Sequence, residues 1–282
     1  MADTSELTTH AGEHARRVVY VTGAARGVGR ATAVAFAAAG ADLLLTDVCA
    51  PIPGCPYPLG SEQDLDETAA RCRAAGARVV ALAADVRRQD AVDLAVRRCA
   101  DELGDIQVLV NNAGIVGPGA MRADELTEDA WAVMIDVDLS GVWRTSKAVM
   151  PGMIRRRAGA IVNVASTAGL VAFPHFANYV AAKHGVVGLT RALALDYASY
   201  GIRVNAVCPT SIYDDPPGML TGVAGMLGLE RPDYEALSLP HHPLGTLVDA
   251  SDVANAIVWL ASDAAARVTG VALPVDAGFT IR

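Results

Sequence analysis

Tyr179 and Lys183 stand four residues apart in a stretch with helical periodicity, so their side chains share one face. A phenol ionises near ~10, too high for a base at neutral pH. An ammonium beside it favours the phenolate and lowers that value, which makes the pair a candidate proton acceptor and donor. Ser166 lies 13 residues upstream, just past an apolar run that reads as a strand. Tyr-x-x-x-Lys alone is common on any helix, and its plain reading is a surface pair. The case for chemistry rests on what accompanies it.

The first companion is a glycine loop. Thr22-Gly23-Ala24-Ala25-Arg26-Gly27-Val28-Gly29 joins a strand, Val18–Thr22, to a helix beginning at Gly27. Glycines there let the backbone turn tightly against a pyrophosphate, and the helix start offers free N–H groups and a positive dipole. The spacing is GxxxGxG rather than GxGxxG, and the loop is weak evidence by itself; its position between strand and helix is the required context. Asp47 ends the second apolar run, 24 residues after Gly23. A carboxylate at that place accepts hydrogen bonds from ribose hydroxyls and repels a 2′-phosphate, which favours NAD over NADP. Arg26 pulls the other way, since a cation beside the phosphates welcomes the extra charge. Asp47 is the stronger influence because it sits at the ribose.

With Asn111-Asn112-Ala113-Gly114 after the fourth apolar run and Ser166 after the fifth, the set is highly specific. Over residues 16–282 the chain resembles the classical short-chain dehydrogenase/reductase family. The resemblance implies a Rossmann-type, doubly wound sheet of seven parallel strands in order 3-2-1-4-5-6-7, with a lid after the sixth. It implies Tyr179 as general acid/base, Lys183 as its electrostatic partner and ribose contact, and Ser166 as donor to the substrate oxygen. Cofactor contacts would come from Gly23, Arg26, Gly27, Val28, Gly29 and Asp47, and from Asp85-Val86 at the adenine. Asn111 would lie beside the adenine ribose, with Ala113 and Gly114 adjoining; Pro209 and Ile212 would meet the nicotinamide. The segment DVCAPIPGCPYPLGSEQDLDETA, the phrase MIDVDLSGVW and the ending LPVDAGF resemble the mycofactocin-associated, carveol-dehydrogenase-like branch. In that branch the insert is expected to cover the cofactor and hold it tightly.

Three departures stand out. Asp138 takes the place of an Asn that supports a proton relay to the lysine, and is carried as a catalytic candidate. Cys208-Pro209-Thr210 replaces the usual Pro-Gly. The threonine that often contacts the nicotinamide amide is not evident in Ser211-Ile212-Tyr213-Asp214-Asp215-Pro216.

The elements that must position these residues alternate along the chain. Strands are expected at Val18–Thr22, Asp42–Thr46, Arg78–Ala83, Ile106–Val110, Ala160–Val164, Arg203–Val207 and Val271–Pro274. Helices are expected at Gly27–Ala39, Glu62–Ala75, Ala91–Glu102, Ala177–Tyr200 and Asp249–Ala261, with a long and bent helical region over Trp131–Arg156. Runs of four to seven apolar residues suit strands buried on both faces of a parallel sheet. Two stretches break the rhythm: the proline-rich insert Cys49–Ser61 and the long connection Thr210–Leu247. In the second, Met219, Leu220, Val223, Met226, Leu227 and Leu229 recur at helical spacing and favour a short lid helix.

A chain of 282 residues suits one large domain, here 16–282 after a flexible segment 1–15. Residues 1–15 read as neither a signal peptide nor an anchor. With 52% apolar and 19% charged residues, extended disorder is excluded as a general description. A net charge of −8 argues against a nucleic-acid groove or a polybasic membrane patch. Cys49, Cys55, Cys72, Cys99 and Cys208 form neither a disulfide framework nor a zinc site, and fit the cytoplasm. His175 lies between Ser166 and Tyr179, where a substrate contact is the minor reading and a solvated loop histidine the favoured one. His241-His242 lacks a third metal ligand, so no metal is expected. Trp131 and Trp143 suit core or subunit interface, and the family's habit implies a homotetramer.

The sequence thus predicts an NAD(H)-dependent oxidoreductase acting on a secondary alcohol or ketone of a small apolar, cyclic compound. "Apolar" follows from the lid residues, and "cyclic" from the branch alone. Two alternatives stay open: an enzyme with bound NAD and a non-redox outcome, such as epimerisation or cyclisation, and a nucleotide-binding regulator without turnover.

Overall fold

The structure is a computed structural model that describes residue 14 and residues 16–213 and 218–281. Seven parallel strands form one sheet: β1 Val18–Thr22, β2 Asp42–Asp47, β3 Val79–Ala83, β4 Val108–Asn111, β5 Gly159–Val164, β6 Ile202–Pro209 and β7 Ala272–Val275. Their order is β3-β2-β1-β4-β5-β6-β7. The register pairs Val19 with Leu43 on one side and Val108 on the other.

Strand alternation explains why the apolar runs are continuous. Val19, Val21, Leu43, Leu45, Val108 and Val110 enter one core, packed under α1 (Gly27–Ala38), α2 (Glu62–Ala74) and α9 (Ala250–Ala261). Val18, Tyr20, Leu44 and Leu109 enter the other, under α3 (Gln89–Glu102), α5 (Gly141–Arg156) and α6 (Ala177–Tyr197). Both faces are covered, so neither alternate set is polar.

The expected bend in the long helical region is a break. Thr127 caps α4 (Glu128–Ile135) by accepting the Ala130 N–H at 3.1 Å. A π-helical turn, Asp136–Ser140, then separates α4 from α5. The lid holds two helices rather than one, α7 (Met219–Met226) and α8 (Arg231–Ser238). Pro232 reads as a breaker in sequence, but it sits in the first turn of α8, where its missing N–H has no helical partner to lose. Residues 214–217 of the lid, including Pro216-Pro217, lie outside the described residues, as does the segment expected to be flexible except for His14. That histidine is buried between α1 and α9, edge-on to Phe36 at 4.9 Å with Nε2 3.3 Å from the Val258 carbonyl. Among the described residues, no helix is long and apolar enough to cross a membrane.

Leu109 is fully buried at the middle of β4. Leu109→Ala should cost about 3 kcal/mol in denaturant unfolding, through lost transfer energy and the cavity left behind. An unchanged midpoint would contradict the assignment of this strand to the centre of the core.

Candidate active site

The C-terminal ends of β1, β2, β4, β5 and β6 open into one cavity of about 1580 Å³. At one end lies the β1–α1 loop. Gly23 and Gly27 have φ of +64° and +53°, the left-handed region that glycine adopts without cost. A Cβ on Gly29 would collide with the Gly23 carbonyl oxygen, so helix and loop touch backbone to backbone. Asn112 Nδ2 donates to the carbonyls of Thr22 at 3.0 Å and Gly23 at 2.9 Å, which fixes the loop. No side chain caps α1, so its first N–H groups point toward the cavity end without a side-chain acceptor.

Asp47 closes β2 and is 8% exposed. Its Oδ2 accepts the Ala25 N–H at 3.0 Å and its Oδ1 the Cys49 N–H at 3.4 Å. Burial raises its pKa, and these N–H groups and Arg26 oppose the rise. Asp85 lines the same end, paired with Arg87 at 2.6 Å; burial works against its charge, but Arg87 outweighs it and holds the carboxyl below its usual range.

The proline-rich insert is an ordered wall of this cavity. Ile52 and Tyr57 are buried, and the Tyr57 hydroxyl accepts the Val116 N–H at 2.9 Å. The Arg26 guanidinium lies 5.6 Å from the Tyr57 ring centre. Gly222 of α7 presses so close to Tyr57 that a Cβ would collide with the ring. Gly60 rests on Ala25 and Asp47. Thus the insert touches the phosphate loop, the ribose carboxylate and the lid together.

At the other end stand Ser166, Tyr179 and Lys183, all lining the cavity. Ser166 opens a short 3-10 turn, Thr167–Gly169; its Oγ accepts the Ala168 N–H at 3.1 Å and donates to the Pro209 carbonyl at 3.4 Å. Lys183 Nζ donates to the Val164 carbonyl at 3.2 Å and lies 5.5 Å from the Tyr179 ring centre. It is also 3.0 Å from Asp138 Oδ2, an ion pair in which Asp138 is fully buried. The second carboxylate oxygen, Oδ1, accepts the Ile115 N–H at 2.9 Å. A Cβ on Gly114 would lie 3.1 Å from Asp138 Oδ2 and 3.4 Å from Lys183 Nζ, so glycine leaves the room the pair occupies.

The electrostatics follow from this packing. Burial pushes the Asp138 carboxyl up, and Lys183 and the Ile115 N–H oppose it. Burial disfavours the Lys183 ammonium, but Asp138 and Tyr179 outweigh burial and hold its pKa above the ordinary value. Burial raises the Tyr179 phenol; Lys183 lowers it, Asp138 raises it, and the adjacent Ser166 hydroxyl lowers it. Burial outweighs Lys183 and holds the phenol above its ordinary value, not below it as the sequence led us to expect; Lys183 is the group that eases release of the proton, and Asp138 acts both on Tyr179 and on Lys183. Asp138 does not line the cavity and reaches it only through its contact with Lys183, so the place of a residue that meets substrate is not the one it holds.

Gly23, Arg26, Gly27, Val28, Asp47, Asp85, Val86, Ala113, Gly114, Pro209 and Ile212, the cofactor-contact candidates from the sequence, are brought together as walls of this cavity. Gly29 acts from behind the loop. Asn111 is a correction. Its side chain faces away from the cavity, donating to Asn163 Oδ1 at 2.8 Å and to Ser146 Oγ at 3.1 Å, and accepting from Thr145. Neighbouring strand residues point to opposite faces, so Asn112 takes the cavity-facing place. His175 is an exposed loop residue outside the cavity wall, the solvated loop histidine that the sequence favoured over a substrate contact. His242 is buried between the Thr210 hydroxyl at 3.0 Å and the Ser238 carbonyl at 2.9 Å. No metal-ligand cluster occurs among the described residues. Trp131 and Trp143 are 43% and 46% exposed, so neither is core.

This arrangement matches known proteins along nearly its whole length. The family model described as enoyl-(acyl carrier protein) reductase matches residues 23–280. A (−)-trans-carveol dehydrogenase from Rhodococcus erythropolis is 37% identical, over 94% of this chain and 98% of its own. The crystal structure of carveol dehydrogenase from Mycobacterium avium in complex with NAD superposes with a TM-score of 0.91 at 39% identity, covering 96% of this chain and all of that one. The chain belongs to the short-chain dehydrogenase/reductase family. Within that family it fits the carveol-dehydrogenase-like branch. A cis-4-hydroxycyclohexanecarboxylate dehydrogenase from Sinomonas cyclohexanicum is a further short-chain relative, 41% identical over 94% of this chain and 97% of its own. As a short-chain dehydrogenase/reductase the chain departs at Asp138, and the departure has a measurable consequence.

An anion near Tyr179 opposes phenolate formation. At ~6 Å and an effective dielectric of ~20 the interaction is roughly 3 kcal/mol before screening and relaxation, and the strengthened lysine charge offsets part of it. Alcohol oxidation should have an alkaline optimum, because the ascending limb of kcat/KM follows formation of the Tyr179 phenolate; Asp138→Asn should keep the fold and move that limb and the optimum to lower pH. A pH profile of both proteins checks this. An identical profile and rate would remove Asp138 from the proton chemistry.

Proposed function

We propose that the chain is an NAD(H)-dependent oxidoreductase that interconverts a secondary alcohol and a ketone on a small apolar, cyclic substrate. The observation that carries the reading is the convergence of Ser166, Tyr179 and the Lys183–Asp138 pair on the same cavity as the glycine loop and Asp47. The residues fit a dinucleotide: the Gly23–Gly29 contact leaves no side chain in the way of a pyrophosphate, α1 presents uncapped N–H groups, and Asp47 presents a carboxylate at the end of β2. NAD, when bound, supplies the two-electron acceptor for the hydride on the carbinol carbon.

The chain's own residues do the rest. Ser166 donates to the substrate oxygen and orients it toward Tyr179. The Tyr179 phenolate takes the hydroxyl proton as the carbon–hydrogen bond breaks, and returns it in the ketone-reducing direction. Lys183 favours the phenolate form and would hold the nicotinamide ribose of a bound NAD. Asp138 keeps the Lys183 ammonium charged and still. The lid excludes water with Met219, Leu220 and Val223 from α7. Exposed Trp131 and Trp143 on α4 and α5 support assembly into a homotetramer, and five unpaired cysteines support the cytoplasm.

Tyr179→Phe should lower kcat by about 10²- to 10⁴-fold while NADH binding, followed by fluorescence, is retained. Turnover close to that of the unaltered protein would remove Tyr179 from the proton transfer. For the cofactor, titration should show NAD bound more tightly than NADP, with Asp47→Ser narrowing the gap; equal binding by the unaltered protein would refute the role given to Asp47. The insert, closed over Asp47 and tied to the lid by Tyr57, should slow cofactor release. Mass spectrometry after gel filtration should then find NAD at substantial occupancy, and a fully apo protein that exchanges NAD freely would contradict it.

A further inference from the structure

The lid end of the cavity holds a cluster of hydroxyls that the reaction above does not use. Ser211 follows β6, and Tyr234 and Ser238 stand one turn apart on α8; all three line the cavity. Ser211 Oγ lies 3.2 Å from Tyr234 Oη, and the Ser238 hydroxyl donates to Ser211 Oγ at 3.5 Å. Each hydroxyl has one proton to donate. Ser238 spends its proton on Ser211, and either Ser211 or Tyr234 spends one on the other, so one O–H remains, on whichever of Ser211 and Tyr234 accepts. Ser211 is two residues beyond Pro209, at most about 7 Å of chain away. The Pro209 carbonyl in turn accepts from Ser166 at 3.4 Å. The cluster is therefore within reach of a ring whose carbinol sits at Ser166 and Tyr179.

We infer that the substrate carries a second, uncharged oxygen, a hydroxyl or carbonyl on the same ring, which is bound by the Ser211–Tyr234–Ser238 hydroxyls. This rests on the oxidoreductase reading and names the substrate class of that same site. A purely apolar ring closed under the lid would strip water from the remaining O–H and leave it unpaired, the costly case for a buried polar group. The neighbouring walls suit the ring itself: Phe173 and Phe279 stack at 5.7 Å and both line the cavity. A carboxylate is disfavoured as the second group. Among the described residues lining the cavity, the Lys and Arg side chains are Arg26, Arg30, Arg71 and Lys183. The first three lie on the β1–α1 unit and α2, and Lys183 is spent on Asp138. His241 is the one basic side chain that the lid contributes.

The test uses the full chain with NAD and measures kcat/KM for cyclohexane-1,3-diol and cyclohexane-1,4-diol, the matching methylcyclohexanols, and the matching hydroxycyclohexanecarboxylates. At least one diol should exceed its methyl counterpart by about tenfold, the worth of one hydrogen bond, and should exceed the carboxylate. In Tyr234→Phe, which keeps the ring and its packing, and in Ser211→Ala, that ratio should collapse toward unity. Equal or better use of the methyl compounds, preference for the carboxylates, or a ratio unmoved in both variants would each overturn the inference while leaving alcohol oxidation intact. Failure to oxidise any of these alcohols would instead remove the oxidoreductase reading, and the inference with it.

Discussion

The contact between Lys183 and Asp138 is the constraint around which the site is built. A lone carboxylate in this interior would cost several kcal/mol, so the fully buried Asp138 requires the Lys183 ammonium beside it, while Lys183 also keeps the Val164 carbonyl. Holding the two charges 3.0 Å apart requires four parts of the fold to meet. Helix α6 brings Lys183, the π-helical turn brings Asp138, the segment after β4 gives the Ile115 N–H, and β5 gives the Val164 carbonyl. A Cβ on Gly114 would crowd the pair at 3.1 Å from Asp138 Oδ2, so glycine lets it sit without adjustment. The same pair sets the charge that Tyr179 feels one helical turn away, so packing and proton chemistry share one set of residues.

The sheet is a rigid frame, and the two irregular stretches close it. The insert after β2 covers the phosphate loop and Asp47, and the lid after β6 covers the other end. Tyr57 joins them, bonded to the Val116 N–H on one side and pressed on Gly222 of α7 on the other. The insert and α7 are therefore packed against each other through one side chain. Loops on a rigid scaffold carry the variable walls of such a cavity, while the strands fix where the reacting groups stand.

Much of this was legible in the sequence, for physical reasons. Val18–Thr22 and Asp42–Thr46 read as strands because both faces of the sheet are covered, leaving unbroken apolar runs. Tyr179 and Lys183 were legible because four-residue spacing on a helix fixes a shared face. The π-helical turn at Asp136–Ser140 was not, since one extra residue in a turn leaves no mark in composition. Helix α8 was hidden because Pro232 looks the same as a breaker and as a first-turn residue. Asn111 was misplaced because adjacent strand residues face opposite ways, and its neighbour Asn112 carries the same side chain. Tyr57, Phe173, Tyr234 and Phe279 line the cavity from four separated segments, which no local pattern connects.

On the proposed function, this cavity moves a hydride from a carbinol carbon while the chain handles the proton. The most direct test follows the hydrogen itself. A cyclic secondary alcohol deuterated at the carbinol carbon is incubated with the purified protein and NAD, and the reduced cofactor is analysed by mass spectrometry. The account predicts that reduced cofactor accumulates with ketone and carries the deuterium. Product formed without net cofactor reduction, or reduced cofactor without the label, would contradict it and favour the non-redox alternative.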